Sequence, residues 1–125
     1  LVASGVEVRG LVYVDGNDSP NHLIERAWPG LADIPIRAVM APPSPCNRQG
    51  QLADWLRSRR PGSVEAIAGA GHGDIEMLGA GVYRWACGDI DDPQRWRSVQ
   101  GAVLDAVARI LGGASSGRWD RDLAV

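Results

Sequence analysis

The most constraining stretch of the chain is Glu7-Val8-Arg9-Gly10-Leu11-Val12-Tyr13-Val14-Asp15. Leu11 to Val14 is continuously apolar, with β-branched and aromatic residues, the pattern of a strand covered on both faces in a parallel sheet. Pro35 to Ala41 reads as a second strand and Val64 to Ala68 as a third, shorter one. The segments between them carry helical patterns. Strand, helix, strand, helix, strand, helix implies right-handed crossovers and an α/β architecture built on a parallel sheet.

Local chemistry sets the expected boundaries. Gly16-Asn17-Asp18-Ser19-Pro20 is turn sequence, and Ser19 and Pro20 suit the N-cap and first position of a helix reaching about Trp28. Pro29-Gly30 should end it. Pro42-Pro43-Ser44-Pro45-Cys46-Asn47-Arg48 is too proline-rich for regular structure. Gln51 to Arg60 predicts a helix with Leu52, Trp55 and Leu56 on one face, closed by Pro61-Gly62. Gly69 to Gly73 reads as a glycine-dense loop, and Asp74 to Cys87 as a short helix and an irregular segment. Asp92 and Pro93 open the strongest helix, with Trp96, Val99, Val103, Val107 and Ile110 at helical spacing and Gly112 as the stop. Residues 1–112 form one domain in this reading, and 113–125 a flexible Gly/Ser-rich, then charged, tail.

Composition excludes some classes. A net charge of -2 argues against a nucleic-acid arm or a polybasic membrane patch. No apolar run approaches the roughly 20 residues of a membrane helix. Every basic residue is Arg, a bias that speaks of codon usage more than mechanism. Cys46 and Cys87 lack metal-site spacing. They are two buried thiols, one disulfide in an exported protein, or, for Cys46 in its loop, a nucleophile; location is open between cytoplasm and export.

Chemistry concentrates in Val64-Glu65-Ala66-Ile67-Ala68-Gly69-Ala70-Gly71-His72-Gly73-Asp74. A strand ending in Gly-x-Gly-His, followed by a long last helix, resembles the final strand, catalytic loop and final helix of the α/β-hydrolases. Val8 to Asp15 resembles the strand after the nucleophile helix in that family, and Leu31 to Val39 the run into the penultimate strand. Leu1-Val2-Ala3-Ser4 is similar to the helix behind the nucleophile turn. The resemblance implies a three-layer parallel-sheet sandwich, with His72 as general base and no cofactor. Imidazole suits that role because its pKa of about 6.5 lies near working pH.

Two departures stand out. No Gly-x-Ser-x-Gly nucleophile elbow stands ahead of the Leu11–Val14 strand, where that family places it, so the N-terminal strands and the nucleophile are expected in a missing half. The connection from Leu1 to Glu7 is also shorter than a parallel crossover requires. Ser44, in the proline loop, is the exposed-loop candidate for a nucleophile, and a turn role suits it better. The usual acid after the penultimate strand is absent too. Some lipases and haloalkane dehalogenases carry it one strand earlier, which places it here at Asp15 or Asp18 and implies that one of them accepts the Nδ1 proton of His72. Alternatively Asp15 is a strand-end residue, Asp18 a turn former, and neither is the acid.

Other residues have plainer readings. His22 reads as a surface or packing histidine, and two distant histidines without His-Glu-x-x-His give no catalytic metal. Asp74 and Glu76 either hydrogen-bond the loop or line the site. Gly69, Gly71 and Gly73 lack the Lys of a phosphate loop. Trp28, Trp55 and Trp96 are expected in the core, with Trp85 near Cys87 as a pocket border. Ser19-Pro20 leads quickly to the next strand, leaving no room for a lid. The functional expectation is hydrolysis or acyl transfer at an ester, thioester or amide through Ser, His72 and Asp15 or Asp18. The alternatives are an inactive hydrolase-like module serving binding, or a small flavodoxin-like domain.

Overall fold

The structure is a computed structural model and describes residues 5–16, 18, 22–76 and 92–112. Strands β1 (Leu11–Val14), β2 (Ile36–Met40) and β3 (Val64–Ala66) form a parallel sheet in the order β1-β2-β3. Leu11 stands opposite Ile36, and Ala38 opposite Val64. The helices are α1 (Leu23–Leu31), α2 (Gln51–Arg59), α3 (His72–Glu76) and α4 (Pro93–Leu111). Ser19, Pro20, Trp85, Cys87 and the tail 113–125 lie outside the described residues.

The central strand explains the layering. Side chains alternate across a strand, so Ile36, Ala38 and Met40 share one face and Val39 takes the other. The first three pack with Leu52, Ala53 and Leu56 of α2, joined by Leu11, Tyr13 and Trp28. Val39 packs with Ala102 and Ala106 of α4, joined by Val12. Helices therefore cover both faces, as the apolar runs require. Leu56 has no exposed surface, and truncating such a leucine costs about 2–5 kcal/mol.

α2 follows the expected boundaries to within one residue, with Leu52 and Leu56 buried and Trp55 half-buried. α4 begins as expected: the Asp92 side chain accepts the Gln94 N–H at 2.8 Å, and Gly112 ends the helix. Its buried face differs. Val99, Ala102 and Ala106 are the buried residues, whereas Val107 is 37% exposed. The large residues mark the helical period, but the small ones let the helix axis approach the sheet.

Three further expectations are corrected. α1 continues through Pro29 and Gly30 to Leu31. Pro29 lies in the last turn on the exposed side, where its missing N–H costs a single bond to the Glu25 carbonyl. The described start is Leu23, after His22 in a left-handed conformation, rather than Ser19-Pro20. Second, the proline loop contains a 3₁₀ segment, Pro45–Gly50, interrupted by Arg48 and Gln49 at φ 52° and 57°. Third, β3 stops at Ala66, and His72 opens α3 instead of standing in an open glycine loop. The Gly71 carbonyl takes the Asp74 N–H at 3.1 Å, and the Asp74 carboxylate takes the Gly71 N–H at 2.8 Å.

Candidate functional site

Asp15 directly follows β1, and its N–H donates to the Val39 carbonyl at 2.8 Å. There the backbone turns to φ 41°, a left-handed conformation that Asp tolerates better than most residues. The turn sends the carboxylate across the C-terminal ends of the strands, where it is completely buried.

Three groups meet that carboxylate. Oδ1 accepts the Ala41 N–H at 2.7 Å and the Asn47 amide Nδ2 at 3.2 Å. Oδ2 lies 2.5 Å from Nδ1 of His72, itself only 7% exposed. A buried carboxylate is costly unless its lone pairs are matched by donors, and charge-assisted bonds of this length are the strong ones. The carboxylate accepts only, so Nδ1 of His72 carries the hydrogen of this contact. The arrangement can orient an imidazole, fix its tautomer, and stabilise the imidazolium formed when Nε2 takes a proton.

Asp15 and Asp18 are thus placed differently. Asp18 turns its carboxylate to the start of α1, accepting the Ile24 N–H at 3.0 Å and the Glu25 N–H at 3.3 Å. Those are two of the unsatisfied donors of a helix N-terminus, so the capping expected from Ser19 is done here by Asp18. His22 is exposed, with Nδ1 3.3 Å from Glu25 Oε2. Ligand atoms of Asp18, His22 and Glu25 lie within 4.8 Å of one another on the surface, a grouping absent from the sequence reading.

Asn47 is the functional neighbour that sequence reasoning missed. It is completely buried. Its Oδ1 accepts the N–H groups of Ser44 at 2.9 Å and Gly50 at 3.1 Å. Its Nδ2 donates to the Pro42 carbonyl at 3.0 Å as well as to Asp15. An Asn among prolines reads as an ordinary turn residue, and only its position behind β2 hints at more. Ser44 contributes its backbone to this loop, in keeping with the turn role.

Cys46 is disulfide-bonded, which overturns the expectations of buried free thiols and of a nucleophilic cysteine. Trp28 and Trp55 are half-buried and pack against the core, edge to face with each other at 4.9 Å, with Arg60 over Trp28 and Arg59 over Trp55. Trp96 is likewise half-buried. Asp74 holds the loop as described above, and the Glu76 side chain lies outside the described residues. No protein-family model matches the chain, and no curated protein or solved structure matches it either.

Proposed function

We propose that the chain supplies the general base and its orienting acid to a hydrolase acting on an ester, thioester or amide. The observation that carries this reading is the 2.5 Å contact between His72 Nδ1 and Asp15 Oδ2, both groups buried at the C-terminal ends of parallel strands. Ligands of open parallel sheets collect at that end. Nε2 of His72 takes the proton of an attacking serine hydroxyl and then returns it to the leaving group, while Asp15 holds the ring in register. In this reading the attacking hydroxyl comes from a nucleophile-bearing half that pairs with this one. Among the described residues β1 pairs only with β2, so its other edge suits a parallel strand from that half.

The test uses the two halves together and an activated ester such as p-nitrophenyl acetate. His72→Ala should abolish turnover, and near-full activity would remove His72 from the mechanism. Asp15→Asn should cost up to about 10⁴-fold in kcat, the loss seen when a serine-protease triad loses its acid. Asp18→Asn should leave kcat within a few-fold, because its carboxylate serves the helix. Equal, mild effects of both would mean that neither aspartate is the acid and favour a binding module.

A further inference from the structure

α3 is too short to hold its own position. Helices of one or two turns are unstable unless packing or side chains fix them. The Asp15 carboxylate and the Arg95 guanidinium grip this one from opposite sides. His72 and Asp74 are two residues apart, about 200° around the helix, so they face in nearly opposite directions. His72 reaches Asp15 at the end of β1. Asp74 faces Arg95, on the first turns of α4.

The second grip is built around charge. The Asp74 side chain is completely buried, Oδ2 accepts one hydrogen bond, from the Gly71 N–H at 2.8 Å, and Oδ1 has no hydrogen-bond partner. The Arg95 guanidinium supplies the compensating charge, with Nε 3.6 Å from Asp74 Oδ2. The same nitrogen lies 3.6 Å from Asp92 Oδ2, so Arg95 is shared with the cap of α4. Its Nη1 also donates to the Gly69 carbonyl at 3.1 Å. Gly69 has φ 75°, the turn that aims the chain into α3. One arginine therefore fastens both the turn before His72 and Asp74, two residues after it. Without Arg95, a poorly solvated carboxylate would be left buried. Its relief is to move toward water, carrying Gly71 to Ile75 with it.

We propose that Arg95 and Asp74 are positioning residues for His72, setting the helix so that the imidazole meets Asp15. The consequence for catalysis rests on the hydrolase reading above; the coupling itself does not. The experiment follows the His72 ring nitrogens and the Nδ1 proton by NMR in the full chain at about pH 8, where a free imidazole is neutral. The wild type should show a single Nδ1–H tautomer with a strongly downfield Nδ1 proton. Arg95→Gln should lose that proton and shift the ring nitrogens toward a tautomer mixture. Arg109→Gln, which breaks the 2.7 Å pair with Asp105 at the other end of α4, should leave both unchanged.

Asp74→Asn removes the buried charge while its amide oxygen can still accept from Gly71. In that background, Arg95→Gln should have little further effect on the His72 signals. Unchanged His72 signals in Arg95→Gln would overturn the proposal. So would equal, additive losses from Arg95→Gln in the wild-type and Asp74→Asn backgrounds. If Arg95→Gln unfolds, the comparison of Asp74→Asn with the double variant decides in the same way. No substrate is needed, so failure here leaves the hydrolase reading standing, and an inactive assembled protein leaves this coupling standing.

Discussion

Asn47 donates its amide to Asp15 over 3.2 Å, joining the loop behind β2 to the end of β1. The amide oxygen of the same side chain accepts the Ser44 and Gly50 N–H groups. One buried side chain thus shapes the loop and orients the acid.

Replacing it should show both roles. Asn47→Ala leaves two backbone donors and a share of the Asp15 carboxylate unmatched, at about 1–3 kcal/mol for each buried group left without a partner. Chemical denaturation should show a loss of several kcal/mol, with the His72–Asp15 tautomer signal weakened. Asn47→Asp places a second carboxylate about 3 Å from the first, and such a pair must share a proton. That variant binds more protons folded than unfolded, so its stability should fall as pH rises from about 4 to about 7. A flat pH response would show that the two groups do not face each other.

Much of the scaffold is legible in residue pattern alone. β1 and β2 follow from apolar runs, and α2 and α4 from spacing and terminal residues such as Asp92, Pro93 and Gly112. The misses have two causes: a local rule applied where its physical basis is weak, and a local rule overruled by a contact distant in sequence. Pro29 stops a helix only where its missing N–H matters, and in an exposed last turn it does not. Gly71-His72-Gly73 reads as loop because nothing nearby shows that Asp74 will be locked against Arg95. Asp15 and Asp18 are indistinguishable as carboxylates after a strand. What separates them is the Ala41 N–H, brought beside Asp15 by the β1–β2 register.

Gly10 is a position where the backbone must come close to a helix. A Cβ added there would overlap Cγ2 of Ile110 and lie 3.1 Å from the Pro35 carbonyl oxygen. Cγ2 sits on a β-branched carbon and cannot swing away as the end of a long chain would. Gly10→Ala should therefore destabilise by about 1–3 kcal/mol through overpacking of α4 on β1. Ile110→Ala should destabilise less on its own, because Ile110 is only half-buried. The double variant should be more stable than the sum of the two predicts, with a coupling of about 0.5–3 kcal/mol in thermal or denaturant melts. Strict additivity would place α4 further from β1 than it stands here.

Tyr13 gives the chain an alkaline limit. Burial raises its phenol above the ordinary 10.0, and the negative charge of Asp18 raises it further. The folded state then holds a proton that the unfolded state releases near pH 10, so the linkage favours folding below that value. The contribution is lost as pH rises through the raised folded value. Few other groups titrate in this range, because the chain has no lysine and Cys46 is disulfide-bonded. Unfolding free energy should decline from about pH 10 upward in the wild type. Tyr13→Phe should remove most of that decline, and Asp18→Asn a smaller part of it, since burial is the larger cause. Tyr83→Phe serves as the control for the other phenol. An alkaline decline unaltered by Tyr13→Phe would assign it to another group and remove Tyr13 from the stability of the β1–α2 face.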